Sequence, residues 1–187
     1  MQTVLSTAFT SAGKKSNDTW VKKFMKPSSA SLLVDALKQN EIRLITVLPD
    51  SWMFEVYELI SKDSYFKVVP VTHEAEGVCI CAGAWCAGLR AAIIMENSGL
   101  RSATEALGRL YCFPVLLLMS YRGDVGDRAF FGRPIGRTTE PILQALEIPY
   151  ATIRKEPDIA VGVRDITQTF DTALGPVALL FSGETVR

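Results

Sequence analysis

Apolar and polar positions along the chain follow two patterns: short continuous apolar runs, and longer stretches with apolar residues three or four apart. The runs are typical of buried strands, and the longer spacing is typical of helices. The predicted strands are 43–48, 66–71, 91–95, 115–120, 150–153 and 177–181. The predicted helices are 28–39, 52–61, 74–87, 100–111, 158–174 and one that begins after Pro141.

Strand and helix patterns alternate about six times, which favours an α/β fold with a doubly wound, mainly parallel six-stranded sheet and helices on both faces. Such sheets bind ligands at the carboxyl ends of their strands. Four polar turns would meet at this edge, at residues 49–51, 73–74, 97–99 and 121–123.

The domain organisation predicted from this pattern is simple. Residues 1–27 show little periodicity and are expected to form a flexible or loosely docked arm. Residues 28–187 are expected to form a single α/β domain, because a chain of 187 residues suits one domain with a sizeable core.

Composition changes the picture in two ways. Hydrophobic residues make up 48% of the chain, which indicates surface covered by another subunit, although a large helix-covered sheet would also raise this fraction. Lysine plus arginine and aspartate plus glutamate number 20 each, so the net charge is +0 and no overall field favours nucleic acid or an acidic membrane as a partner.

The four cysteines lie in or beside apolar runs, which suits buried side chains in a reducing cytoplasm. No CxxC pair is present and His73 is the sole histidine, so a metal site is not expected. The longest apolar stretch, 113–119, contains Pro114 and is too short to span a membrane or direct export. We therefore expect a cytoplasmic protein.

Several common enzyme motifs are missing. The chain has no GxGxxG, no GxxxxGK[ST] and no GxSxG, so dinucleotide, P-loop and hydrolase sites lack their fingerprints. The remaining candidate is Glu74, a carboxylate in an otherwise apolar helix, where an unpartnered charge would be costly. The alternative is a carboxylate stabilised by the helix N-terminus. Glu76 lies about 200° further round the helix and cannot share its site.

These residues also carry a family resemblance. Glu74 followed by Gly83 and Gly88, then a strand and an Asn-Ser-Gly turn, resembles the pyrimidine-binding (PYR) domain of thiamine diphosphate enzymes. Five segments more closely resemble the sulfopyruvate and phosphonopyruvate decarboxylase group: 73–77 (HEAEG), 81–84 (CAGA), 95–100 (MENSGL), 120–123 (SYRG) and 136–138 (GRT). The resemblance covers roughly residues 29–182.

The resemblance implies that Glu74 is catalytic and hydrogen-bonds the aminopyrimidine of thiamine diphosphate within an apolar site. It also places Asn97, Ser98 and Gly99 beside the pyrimidine and a neighbouring subunit. For Ser98 the alternative is a helix cap.

For the substrate, the resemblance implies contacts from Asp50 and Ser51, although a plain turn is the alternative there. A 3-sulfo or 3-phosphono group needs cationic planar donors, for which the candidates are Arg101, Arg122, Arg133 and Arg137. The chain departs from the group at Glu96, where glutamine is usual, at Arg101, where glycine is usual, and in lacking a histidine just before the Gly-Arg-Thr segment at 136–138.

The resemblance also implies that the pyrophosphate-binding part of the enzyme lies outside this chain. A Gly-Asp-Gly motif followed by Asn would hold Mg²⁺ and the diphosphate, but here residues 123–124 and 126–127 are Gly-Asp with no following glycine. A separate pyrophosphate-binding β subunit is therefore implied, with Mg²⁺ held there, and an α2β2 or larger assembly. The expected activity is decarboxylation of 3-sulfopyruvate or 3-phosphonopyruvate. The alternatives are another split thiamine diphosphate-dependent decarboxylase or carboligase, or a non-catalytic PYR-like regulatory subunit.

Overall fold

The computed structural model describes residues 24–127 and 129–186. Its strands are β1 Ile42–Val47, β2 Lys67–Pro70, β3 Arg90–Glu96, β4 Leu116–Ser120, β5 Tyr150–Ile153 and β6 Val177–Phe181. They form one six-stranded sheet in the order β2-β1-β3-β4-β6-β5, and every pair of neighbouring strands is parallel. The predicted doubly wound sheet is therefore confirmed.

The described residues form six α-helices. They are α1 Pro27–Gln39, α2 Phe54–Lys62, α3 Glu74–Cys86, α4 Gly99–Arg109, α5 Arg133–Ala145 and α6 Asp158–Ala173. Helix α1 precedes β1, and the other five connect successive strands. Short 3₁₀ turns precede α2 and α5, at Ser51–Met53 and Phe130–Gly132. Among the helices of residues 24–127 and 129–186, none has both the length and the apolar character needed to cross a bilayer.

Both faces of the sheet are buried, because alternate residues of each strand point to opposite sides. In β3, Ala92 and Ile94 pack in a core with the apolar residues of α1, α2 and α6. Ile93 and Met95 pack in a second core with those of α3, α4 and α5. Two-sided burial explains why the strands read as continuous apolar runs in the sequence.

The start of α5 differs from the prediction. The helix was expected to begin after Pro141, but it begins at Arg133 and contains Pro141. An interior proline removes one helical hydrogen bond and crowds the carbonyl four residues earlier, which made a boundary there the default expectation. Here Pro134 occupies the first turn, where no N–H is needed, and the hydroxyls of Thr138 and Thr139 each donate to the Ile135 carbonyl at 3.0 Å. The prediction was wrong because α5 is packed against the domain on both sides of Pro141, through the buried residues Thr139 and Leu143, and this packing outweighs the cost of the interior proline.

Most of the predicted N-terminal arm, residues 1–23, lies outside the described residues. Its last residues are packed onto the domain. Met25 is fully buried, its N–H donates to the Trp52 carbonyl at 2.7 Å, and it forms an antiparallel bridge with Val186. The following helix starts at Pro27 rather than after it.

The order of the strands positions the site. From β1 the chain runs outward to β2 and then returns past β1 to β3. The helices that follow β1 and β3 therefore lie on opposite faces, with Val56 of α2 in one core and Leu107 of α4 in the other. The carboxyl ends of β1 and β3 flank a topological switch point, the place where such sheets open a ligand crevice.

Candidate active site

A cavity of about 320 Å³ opens at the switch point between β1 and β3. It is lined by the residues after β1, the first residue of α3, the end of β3 and the turn after β4: Leu48, Pro49, Asp50, Ser51, Glu74, Glu96, Ser98 and Arg122. Each of the four polar turns recognised in the sequence thus contributes at least one residue to the same cavity.

Glu74 is the first residue of α3, whose N-terminus is capped by His73 Nδ1 accepting from the Ala75 N–H at 3.2 Å. Its side chain is half-buried and lines the cavity. Ser102 Oγ donates a hydrogen bond of 2.6 Å to Glu74 Oε2. The surroundings are thus less apolar than the sequence suggested, and a hydroxyl of α4 orients the carboxylate.

Gly99 makes room for Glu74. A Cβ added to Gly99 would lie 2.6 Å from Glu74 Oε1, well inside van der Waals contact. Of the three residues of the predicted Asn-Ser-Gly site, Ser98 lines the cavity and Gly99 backs the glutamate. Ser98 makes no side-chain cap hydrogen bond to α4, so the alternative of a capping serine finds no support in this helix.

Asn97 is buried beneath the cavity rather than in its wall. Its Nδ2 donates to the Arg122 carbonyl at 3.0 Å and to Thr139 Oγ1 at 2.8 Å, and its Oδ1 accepts from the Arg122 N–H at 3.0 Å. With 1% of its surface exposed, Asn97 joins the end of β3 to the turn after β4 and to α5. The structure therefore places this residue behind Arg122.

The guanidinium of Arg122 enters the cavity and meets three neighbours after β1. Its Nη2 donates to Ser51 Oγ at 2.8 Å and lies 3.5 Å from Asp50 Oδ1, and its carbon atom Cζ lies 4.3 Å from the centre of the Trp52 ring. On the other side, Arg122 Nε lies 3.3 Å from Glu96 Oε2. A cation within about 6 Å of an indole face is attracted by the ring quadrupole, so Trp52 helps to fix the guanidinium.

Two polar atoms of this group have no hydrogen-bond partner among the described residues. They are Asp50 Oδ2 and Arg122 Nε, both buried. Asp50 is almost wholly enclosed, with 3% of its side chain exposed. A buried acceptor and a buried donor without hydrogen bonds are costly to a folded chain, so these two atoms are the candidate ligand contacts of this corner.

The other arginines predicted as anion ligands are not in the cavity. Arg101 is an exposed residue of α4, and Arg133 and Arg137 are exposed residues of α5. Of the four candidates the structure brings only Arg122 to the cavity wall.

Glu76 accepts two hydrogen bonds from Thr72, just before the N-terminus of α3. Its Oε2 accepts from the Thr72 N–H at 3.0 Å and from Thr72 Oγ1 at 3.2 Å. These hydrogen bonds, that to the Thr72 N–H first, hold the pKa of Glu76 below its usual range. Its carboxylate is exposed and is not part of the cavity wall.

Sequence reasoning did not assign functional roles to Ser102, Trp52 and Glu96. Glu96 was noted as a departure from the decarboxylase pattern, which was the one available signal. Ser102 contacts Glu74, which is 28 residues away along the chain, and Trp52 contacts Arg122, which is 70 residues away. Only the folded structure reveals these contacts. Among the described residues, no group of three or more His, Cys, Asp or Glu side chains is placed to hold a metal ion.

No family model matches the chain. The chain does match several curated proteins. The chain is 31% identical to sulfopyruvate decarboxylase subunit alpha of Methanococcus maripaludis, over 82% of this chain and 93% of the relative. It is 35% identical to the protein of the same name from Methanocaldococcus jannaschii, over 80% of this chain and 90% of the relative.

A more distant relative is longer. The chain is 24% identical to phosphonopyruvate decarboxylase of Streptomyces hygroscopicus, over 74% of this chain but only 35% of that protein. The first two matches extend over nearly the whole length of their relatives at more than 30% identity. The chain belongs to the family of sulfopyruvate decarboxylase alpha subunits.

Proposed function

We propose that this chain is the pyrimidine-binding α subunit of a thiamine diphosphate-dependent 2-oxo acid decarboxylase that acts on 3-sulfopyruvate or 3-phosphonopyruvate. The products are CO₂ and the corresponding aldehyde, and one proton is taken up. The observation that carries the proposal is the position of Glu74, whose carboxylate lines the cavity at the switch point of a chain in this family.

The residues of the cavity fit the pyrimidine end of the cofactor. An aminopyrimidine ring nitrogen requires a fixed carboxylate within a crevice, and Glu74 meets that requirement. Because Ser102 donates to Oε2, we assign Oε1 as the atom that faces the ring. The diphosphate end requires a metal site, and the residues described here contain no suitable cluster, so we assign Mg²⁺ to the partner subunit.

Thiamine diphosphate, when bound, supplies the carbon nucleophile and the electron sink for loss of CO₂. The chain's own residues bind, orient and move protons. Glu74 holds or releases a proton at Oε1, Ser102 fixes the carboxylate's orientation, and Arg122 offers its buried Nε–H to an anionic oxygen of the substrate. Asp50 Oδ2, enclosed and without a partner, accepts from a donor on the bound substrate or cofactor.

The relatives support a divided enzyme. Because the relatives that the chain matches over about nine-tenths of their length are named alpha subunits, we assign the pyrophosphate-binding domain to a separate β subunit. Two or more α subunits would meet through α3. Cys79, Gly83 and Cys86 lie one turn apart on an exposed apolar face of α3, and the space around Gly83 is open. The proposed assembly is α2β2 or larger.

Affinity purification of the tagged chain from its native host tests this proposal. The expected result is a stoichiometric partner with a Gly-Asp-Gly motif, and release of CO₂ from 3-sulfopyruvate or 3-phosphonopyruvate when thiamine diphosphate and Mg²⁺ are added. Turnover of a different 2-oxo acid would support the assignment as a decarboxylase but contradict the proposed substrates. Recovery of the chain alone, with no cofactor-dependent turnover, would contradict the proposal and favour a regulatory PYR-like subunit.

A further inference from the structure

The cavity is acidic, which is unexpected for a site that takes anionic acids. Among the eight described residues that line it, three carry carboxylates and Arg122 is the one cation. The carboxylates are Asp50, Glu74 and Glu96. A second anionic group on the substrate therefore has a single cationic partner in this chain, and that partner already has two carboxylate neighbours.

Arg122 itself is held in place. Asn97 hydrogen-bonds both its N–H and its carbonyl, Ser51 accepts from Nη2, and Trp52 covers the face of the guanidinium. Only 13% of the side chain is exposed. An anion must therefore bind the guanidinium of Arg122 in its present position, because the guanidinium has little freedom to move.

The two carboxylates beside Arg122 differ in how enclosed they are. Asp50 has 3% of its side chain exposed and is part of the rigid wall. Glu96 has 29% exposed and stands on the Nε side, 3.3 Å from an N–H that makes no hydrogen bond to it. The buried Nε donor of Arg122 is thus covered by Glu96, the more exposed of the two carboxylates.

We propose that Glu96 determines the charge selectivity of the site by competing with the second anionic group of the substrate for Arg122. A sulfonate or phosphonate that binds Arg122 Nε must displace the Glu96 carboxylate or lie against it, and like charges at this distance repel. A monoanionic 2-oxo acid has no second group to place there. The inference depends on the proposed function only for the class of ligand, an anionic acid.

The test uses Glu96→Gln, which keeps the shape of the side chain and removes its charge. In the complex purified through this chain, binding of sulfoacetate, a dianion, and propionate, a smaller monoanion, is measured by calorimetry. We expect Glu96→Gln to bind sulfoacetate about tenfold more tightly, a change of about 1.4 kcal/mol, and propionate less than about twofold more tightly.

The matched control is Glu58→Gln. Glu58 also forms an ion pair, with Lys62 Nζ at 2.7 Å, but lies on α2 and does not line the cavity. Glu58→Gln removes the same charge and should leave the affinities for sulfoacetate and propionate unchanged. Adding Arg122→Gln to Glu96→Gln should abolish the gain for sulfoacetate, with thermal unfolding used to verify that the double variant is folded.

Unchanged sulfoacetate affinity in Glu96→Gln, or equal gains for both anions, would overturn the inference. Failure of the proposed function is a separate result. If the complex turned over no 2-oxo acid, the decarboxylase assignment would fall, whereas the titration of these unreactive anions would still decide whether Glu96 competes for Arg122.

Discussion

Gly99 and Glu74 are so close that a side chain on Gly99 would occupy the space of the Glu74 carboxylate. The Cβ of an alanine at position 99 would lie 2.6 Å from Glu74 Oε1. Gly99 begins α4 and Glu74 begins α3, so the N-termini of two neighbouring helices meet at the Glu74 carboxylate. The absence of a side chain at Gly99 therefore determines where the carboxylate stands.

Gly99→Ala tests this relationship. Because Glu74 is half-buried, its side chain can swing away, so we expect stability close to that of the wild type and turnover reduced at least about tenfold. Turnover of the purified complex and the melting temperature are measured together. Gly108→Ala is the control, because Gly108 lies on the same helix as Gly99. The Cβ of an alanine at position 108 would meet only Leu146 Cδ2, at an ordinary van der Waals distance of 3.9 Å. Wild-type turnover in Gly99→Ala would show that the contact does not position Glu74.

Asn97→Ala should act on stability. The substitution leaves the Arg122 N–H and carbonyl without their partner, and a buried group without a hydrogen bond costs about 1–3 kcal/mol. We expect the free energy of unfolding to fall by about 2–4 kcal/mol, measured by urea denaturation. The affinity for thiamine diphosphate should change less than the stability. An unchanged unfolding free energy with lost cofactor binding would instead identify Asn97 as a direct ligand.

Stability should decrease at acid pH, and Asp124 should contribute. Burial alone would raise the pKa of Asp124, but hydrogen bonds from Arg154 and Ser182 outweigh it and hold the pKa below the ordinary value of 3.8. Its contribution is therefore complete above the unfolded-state pKa and is lost as the pH falls through the lower folded-state pKa. Urea unfolding of Asp124→Asn should show a shallower decline below about pH 4. An identical decline in both proteins would exclude this contribution.

Thiol reactivity tests the proposed self-association through α3. Burial raises the pKa of Cys81 to about 11, and the thiol contacts Thr46 Oγ1 at 3.4 Å, so Cys81 should resist alkylation. Cys79 and Cys86 are exposed in the single chain, as is Cys112. In the native assembly we expect Cys79 and Cys86 to be protected from iodoacetamide while Cys112 reacts, as read by mass spectrometry. Equal reactivity at all three exposed thiols would contradict an interface on α3.

The sequence predicted the parts of the fold that depend on local patterns. Continuous apolar runs identified the strands because both faces of the sheet are covered, and strand alternation placed the polar turns at one edge. The start of α5 could not be read in this way, since Pro141 suggested a boundary that the burial of Thr139 and Leu143 on either side of it overrules.

The site was predictable only in part. Glu74 stood out as a carboxylate in an apolar helix. Its partner Ser102 and the choice of Arg122 among four arginines depend on strand order, which places the turn after β4 beside the residues that follow β1. The partners of Asn97 lie 25 and 42 residues away, so its role behind Arg122 was hidden in the sequence.

In the proposed enzyme, the Glu74 carboxylate drives decarboxylation in a complex with a separate β subunit. Glu74→Gln keeps the size of the side chain and removes the acid, and Glu76→Gln, two residues away on the same helix, is the matched control. We measure CO₂ release from 3-sulfopyruvate and 3-phosphonopyruvate, together with the mass of the complex. We expect both variants to form an intact complex. Turnover should fall at least about 100-fold in Glu74→Gln and be retained in Glu76→Gln. Wild-type turnover in Glu74→Gln would contradict a catalytic role for Glu74.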